Sequence, residues 1–371
     1  MANSRKILTV ASFLVLIVLV SGFSCSLKKD SGSPLGSSSK TGAKKTVEEL
    51  RTGTEGMSVG FAPNNPPATI YAEDNQPNKV DVIVELSNKG AYPQPEEGKP
   101  PSGKIFLSGY DKNILQFNPP DYELGKKSLY GKSLIDTRGG SDIAIFNGDI
   151  QDTLKVDKYS PILLATLCYD YQTIAGPPVC IDPDPHPQVP VKKVCEAAPI
   201  TLTSQGAPVA VVGIDVNALA TKTIFTIAIK NVGSGDVIRN NHQGTGQPSS
   251  SGPDSGASAE SNGDAISKCD PFGTSKLTRE DIDKVFVEGV STGSNGLLCW
   301  GFTDRSTKSE QGFIRLTNGQ GSVICELDKQ DTEYPGGNTA YTTPLKIVLS
   351  YVYKTTAQRT VLIQKENIGK N

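Results

Sequence analysis

Histidine is nearly missing from this chain of 371 residues: there are two, His186 and His242, and tryptophan occurs once, as Trp300. Triad and acid–base chemistry need an imidazole held by a rigid element against a nucleophile or a proton. Here His186 lies in a proline-rich stretch and His242 in a run of Gly, Ser and Asn. No Gly-x-Ser-x-Gly elbow, no Gly-x-x-x-x-Gly-Lys-Ser/Thr phosphate loop and no His-Glu-x-x-His occurs. A pair of carboxylates needs no local motif, so a carboxylate-dependent hydrolase ranks third behind two noncatalytic readings. Zinc is disfavoured because Cys-x-x-Cys is missing. An excess of one charge is also lacking. Lys+Arg total 37 and Asp+Glu 39, a formal net charge of −2, so no broad basic field invites nucleic acid. The chain is expected to be no enzyme and to carry no cofactor.

Long apolar runs are missing too, with one exception. Arg5 and Lys6 precede an apolar stretch from Ile7 to Val20, followed by Ser21-Gly22-Phe23-Ser24-Cys25. A basic start, an apolar core and small residues at −3 and −1 of a cut describe a secretory signal over residues 1–25. Cys25 resembles the lipidated cysteine of a lipoprotein signal, with Gly22 standing where leucine is usual. Three outcomes are open: a lipid on Cys25, an uncleaved anchor over Ile7–Phe23 at the short limit for a membrane span, or simple cleavage. All three put the remainder outside the cytoplasm, and the first two tie it to a membrane. Residues 26–55 are rich in Ser, Gly and Lys and read as a flexible tether. Their lysines, Lys28, Lys29, Lys40, Lys44 and Lys45, could touch anionic head groups.

What is plentiful points to β-structure. Glycine (37) and proline (25) are frequent, and the apolar residues come in short β-branched runs, the pattern of an all-β chain with many turns. Within it runs an internal repeat. Val84-Glu85-Leu86-Ser87-Asn88-Lys89-Gly90 is matched by Ile227-Ala228-Ile229-Lys230-Asn231-Val232-Gly233, and Lys104–Gly109 by Lys284–Gly289. Ile143–Gly148 answers Ile314–Gly319, and Ser160-Pro161-Ile162 leading to Tyr169 and Tyr171 answers Thr343-Pro344-Leu345 leading to Tyr351 and Tyr353. Two copies of one β unit are expected, at 56–174 and 200–366. Their alternation predicts strands with one face in a core. Asn-x-Gly reads as a tight turn with positive φ, and Asn147-Gly148 and Asn318-Gly319 as type I′ hairpins. The tyrosine pairs, two residues apart, predict sheet-face packing. Leu298, Trp300 and Phe302 alternate onto one face and read as core-facing, against a competing reading as a carbohydrate-binding platform.

Pro177–Pro187 predicts a semi-rigid polyproline II spacer within a hinge at 175–199. Asp182, Asp184 and His186 in that geometry point in different directions, which favours a solvated acidic spacer over a metal site. Residues 240–264 read as a disordered insertion in the second unit, and Thr278 as the cap of a short helical turn.

Seven cysteines remain to be placed. With Cys25 taken by the anchor, Cys168, Cys180, Cys195, Cys269, Cys299 and Cys325 are disulfide candidates with 15 possible connectivities. Cys299 and Cys325 lie in strand-like runs and form the first expected pair, while Cys180 and Cys195 flank the proline-rich stretch and could staple it. Cys168 and Cys269 are then left to join the hinge to the second unit. The alternative is that some are buried free thiols.

The paired units, with Val82–Gly90 and Phe225–Gly233 each running as alternating strand into Asn-x-Gly, resemble the immunoglobulin-like repeats of archaeal and bacterial cell-surface proteins, of adhesion-related and S-layer-associated type. Gly206–Val211 fits the first strand of such a module. The resemblance implies two tandem Ig-like β-sandwich domains, a structural or adhesive role, and no shared catalytic residues. No Asn-x-Ser/Thr acceptor occurs, unlike glycosylated surface-layer subunits. The expected partners are the membrane, through the N-terminal anchor, and other envelope proteins or glycans. Open sheet edges would also allow self-association by strand addition. The second choice is a glycan- or solute-binding subunit of an envelope transport or degradation system.

Overall fold

The computed structural model describes residues 50–73, 78–97, 101–125, 129–151, 157–189, 192–241, 263–330 and 339–365. The signal or anchor, Cys25, most of the tether, His242 and most of the 240–264 insertion lie outside the described residues. The described residues all belong to one compact unit. The protein is mostly β, with 53% strand and 3% helix, as the short β-branched runs predict.

The first half contributes β1 (Met57–Phe61), β2 (Thr69–Ala72), β3 (Asn78–Asn88), β4 (Gly103–Ser108) and β5 (Leu115–Phe117). It continues with β6 (Asp121–Glu123), β7 (Ser141–Ile150), β8 (Lys158–Tyr159), β9 (Ile162–Ala175) and β10 (Pro178–Ile181). The second half opens with β11 (Ile200–Thr201), β12 (Val209–Ala218), β13 (Lys222–Asn231), β14 (Asp236–Ile238) and the helix α1 (Gly263–Ser267). Then come β15 (Lys284–Thr292), β16 (Asn295–Gly296), β17 (Leu298–Trp300) and β18 (Gly312–Arg315). The last strands are β19 (Gln320–Asp328), β20 (Tyr341–Thr360) and β21 (Leu362–Lys365). Each half has a sheet of its own, β1-β3-β7-β5 in the first and β11-β12-β13-β19-β17 in the second. Alternation puts Val80, Val82, Val84 and Leu86 of β3, and Phe225, Ile227 and Ile229 of β13, into a single core.

That core is shared because the halves are stitched into one nine-stranded sheet, β16-β15-β20-β9-β4-β6, with β10 and β14 on β20 and β18 on β15. β9 and β20 pair antiparallel, Tyr169 opposite Tyr353, Asp170 opposite Val352 and Tyr171 opposite Tyr351. The same register runs outward in both directions, to Pro178 opposite Pro344 and Tyr159 opposite Ile363. Since Tyr169 and Tyr171 correspond in the repeat to Tyr351 and Tyr353, this crossing places a local two-fold axis through the Asp170–Val352 pair. The order β15-β20-β9-β4 therefore reads alike from both ends. The repeated stretches, expected in tandem, lie edge to edge, and β21 completes the first half by pairing with β2 and β8.

Several local expectations are corrected. Ile143–Gly148 belongs to β7, whose counterpart is β19, because β3 pairs with β7 as β13 pairs with β19. Its sequence match, Ile314–Gly319, is instead β18 and a turn. Apolar alternation is the same for any half-buried strand, so it cannot tell these two apart. Asn147-Gly148 lies inside β7, opposite Asp81 and Val80, whereas Asn318-Gly319 does turn, at φ 52° and 73°. Asn-x-Gly at 88–90 and 231–233 is no positive-φ turn either; neither glycine is among the positive-φ residues. A Cβ on Gly90 would lie 1.8 Å from Tyr171 Oη, and one on Gly233 2.4 Å from Tyr353 Oη. The glycines make room for corresponding tyrosines. Asn88 Nδ2 donates to the carbonyls of Tyr92 and Leu129, and Asn231 Nδ2 to that of Gly235.

The expected tether ends earlier than residue 55: Leu50 is buried, and Gly53 donates to Ser204 Oγ and accepts from Gly206 N, each at 3.0 Å. The hinge is not a free spacer, because β10 pairs with β20 and Asp182 is buried against Lys193 at 2.5 Å. At the edge of the insertion Asn240 is buried and donates to Ser350 Oγ. Thr278 does not cap a helix; its backbone and hydroxyl both donate to Asp281 Oδ2 within a turn.

Three disulfides close the fold: Cys168–Cys269, Cys180–Cys195 and Cys299–Cys325. The first pins α1 over the outer face of the shared sheet at the axis, where Phe106, Ile238, Ala265, Ile266 and Val352 form a second apolar cluster. Further along the same segment, Phe272 packs edge-on to Tyr110 of the first half, ring centroids 5.6 Å apart. Three such bonds mark a protein that matures in an oxidising environment.

Candidate recognition surface

The strand expected to face the core turns out to face water. β17 lies along β19 with Leu298 opposite Glu326, Cys299 opposite Cys325 and Trp300 opposite Ile324. Cys299 and Cys325 are fully buried and bonded to each other. Because neighbours on a strand point to opposite faces, that inward bond turns Leu298 and Trp300 outward; Leu298 is 46% exposed and Trp300 partly exposed. Gly301, at φ +99°, ends the alternation. Phe302 then folds back and is 7% exposed, lying over Gly312, where an added Cβ would meet its ring at 2.5 Å. The aromatic run is thus split, Trp300 outside and Phe302 inside. The signal was present in the chain: Cys299, read as an inward disulfide partner, already assigns its neighbours to the other face.

Around Trp300 the surface is polar and organised. Lys308 Nζ sits 5.2 Å from the centre of the indole ring, within reach of a cation–π attraction. Lys308 also pairs with Glu326, which Lys222 Nζ approaches at 3.2 Å. Burial pushes the Glu326 carboxyl up, but hydrogen bonds from Lys308 and Lys222 outweigh it and hold the group below its ordinary value. An aromatic face flanked by an ammonium and a fixed carboxylate suits the C–H face and hydroxyls of a sugar ring. The corresponding face of the first half carries Ile143 and Ile145, 54% and 53% exposed, beside a shallow groove of about 750 Å³ floored by Ser58, Gly60, Ser87 and Ser141.

The seam tyrosines are buried, with their hydroxyls engaged in structural bonds. Tyr169 Oη accepts from Met57 N and donates to Met57 O. Tyr171 Oη donates to Gly206 O and accepts from Tyr92 N. Tyr351 Oη accepts from Val209 N, and Tyr353 Oη accepts from Gly235 N and donates to Asn231. Burial, first among the causes, raises all four phenols above their ordinary value.

The remaining candidates do not converge. His186 is exposed, and Asp182 is taken by Lys193. Glu280 pairs with Lys284 and Arg315, and Asp281 with Lys268. Among the described residues no group of three or more His, Cys, Asp or Glu could hold a metal ion. Among them, too, no helix is long and apolar enough to cross a membrane. Compared with known proteins, the chain matches no family model and no curated sequence.

Proposed function

We propose that this chain is an exported, membrane-tethered protein with a noncatalytic adhesive or structural role at the cell envelope, and that the Trp300 face is its recognition surface for glycan. The observation that carries the reading is the outward Trp300, fixed beside Lys308 and Glu326 by an inward disulfide. Support also comes from the three disulfides, from the signal-like residues 1–25 with Cys25 at the cut, and from a stiff body whose halves we read as two Ig-like sandwiches fused at an edge.

Trp300 is the chain's only tryptophan, so its fluorescence reports on this face alone. Neutral oligosaccharides titrated into the full-length protein in detergent should shift its emission saturably. Trp300→Ala should abolish retention on a matrix of the responding sugar without lowering Tm. If no saccharide moves the emission and Trp300→Ala is retained like the wild type, the recognition reading is lost. Mass spectrometry of the native membrane protein tests the tether separately: a diacylglyceryl adduct on Cys25, or an intact Met1–Ser24, supports it, and a free cleaved chain removes it.

A further inference from the structure

A second site stands at the seam, away from Trp300. Where β9 passes into β10 along β20, a cleft of about 740 Å³ opens between Ile174–Gly176, residues 201–205 and the start of β20. That volume lies within the range of about 300–1,000 Å³ typical of small-molecule sites. Two cations line it, Arg51 and Lys346, and no described acidic side chain does. Among the described residues neither cation has an acidic partner. The lining is mixed, with Thr201 and Thr203 beside Ile174, Leu202 and Pro344.

The two-fold repeat makes Lys346 informative. It stands five residues before Tyr351, as Leu164 stands five before Tyr169. The sheet therefore accepts an aliphatic side chain at this position, and the ammonium is not required by the strand. Arg51 comes from the segment before β1, pinned to the second half through the Gly53–Ser204 and Gly206–Gly53 hydrogen bonds. Both cations are brought to the cleft by the assembly of the two halves.

We infer that this cleft binds an anionic saccharide, its acidic group drawn to Arg51 and Lys346, its hydroxyls to Thr201 and Thr203, and its C–H faces to the apolar wall. A bare inorganic anion would use the cations but leave most of the volume and the apolar wall unfilled.

The test is calorimetric titration of the full-length protein in detergent with digalacturonate, maltose and sodium sulfate. Digalacturonate should bind saturably and weaken at least about fivefold between about 50 mM and about 500 mM NaCl. With the Trp300 face removed by Trp300→Ala, maltose and sulfate should each bind about tenfold more weakly than digalacturonate, or not at all, as expected when charge and shape are both read. Lys346→Leu restores the residue of the other half and so keeps the fold; it should weaken digalacturonate about tenfold, as loss of a charge-assisted contact does. Trp300→Ala should leave this binding unchanged, which separates the cleft from the recognition face proposed above. Absence of digalacturonate binding, or a Lys346→Leu protein that binds like the wild type, overturns the inference. Sulfate binding as tight as digalacturonate overturns the saccharide assignment and leaves a simple anion site.

Discussion

The two halves hold corresponding strands in the same order, β1-β3-β7-β5 and β9-β4-β6 in one, β12-β13-β19-β17 and β20-β15-β18 in the other, yet their water-facing surfaces diverge. One outer sheet carries exposed isoleucines and the other Trp300, Lys308 and Glu326. Even inside, the Cys299–Cys325 bond belongs to the second half alone. In the first half Ser87 pairs with Ser141 just before Asn88, as Lys230 pairs with Gln320 just before Asn231; by that register Cys325 takes the place of Phe146. What stays alike is what the seam touches: the tyrosine pairs, the glycines beneath them and the asparagines that cap the strands. Packed interiors tolerate little change in volume, whereas outer faces are free to acquire binding chemistry. Divergence between the halves is therefore a guide to where recognition lies.

The comparison can be broken first at its braces. Cys168–Cys269 spans a separation of 101 residues, against 26 for Cys299–Cys325 and 15 for Cys180–Cys195. Chain entropy predicts losses on Cys→Ser replacement of about 4.7, about 3.5 and about 3 kcal/mol respectively. Denaturant unfolding of the three double-serine variants checks the order. A Cys168/Cys269 variant no weaker than the others would mean that the seam holds without its brace.

Next in size are the glycines. Gly90→Ala and Gly233→Ala should each cost about 2 kcal/mol or more through overpacking, Gly90 the more, since Gly206 O and Glu55 O also lie within 2.7 Å of the added carbon. Tyr353→Phe should recover part of the Gly233→Ala loss in a double-mutant cycle. Simple additivity would show that the hydroxyl contact is not what the glycine serves.

The seam should also fail in alkali. Folded phenol values lie above the unfolded value of 10.0, so the folded state retains protons that the unfolded state loses. The contribution is complete below pH 10 and is lost as pH rises through the folded values. Unfolding followed by circular dichroism should coincide with the tyrosinate absorbance of the buried four. Tyrosinate appearing before unfolding would place these rings in contact with solvent.

The smallest stability effect is expected at Trp300. Trp300→Ala should change stability by less than about 1 kcal/mol, while Phe302→Ala, two residues on, should cost about 3 kcal/mol. Equal losses would return Trp300 to the core.

Much of this architecture was legible in the chain, and the misses share one cause. Strand character, the repeat and the tyrosine faces follow from local alternation, and Cys299–Cys325 and Cys180–Cys195 pair as their settings suggest; Cys168–Cys269, expected by elimination to join the hinge to the second unit, instead ties β9 to the segment after α1. Alternation says that two faces differ without saying which is inside. Nor does it tell one half-buried strand from another, which is why Ile143–Gly148 resembles Ile314–Gly319, or show that Gly301 ends the alternation between Trp300 and Phe302. Asn-x-Gly suggests a turn because glycine's backbone freedom is visible locally, while a tyrosine hydroxyl from a strand about 80 or 120 residues away is not. Nothing local marks the cleft: Arg51 lies in the expected tether, and Lys346 is one exposed lysine of the central strand β20.

By itself, the amino-acid order determined an all-β chain of two related units with cysteines suited to an oxidising compartment, because period-two alternation and turn chemistry act over a few residues. Only the tertiary structure decided that the units pair edge to edge about Asp170–Val352, that Trp300 looks outward, and that Arg51 meets Lys346. Each depends on which strand lies opposite, and that is settled by the burial of both halves together.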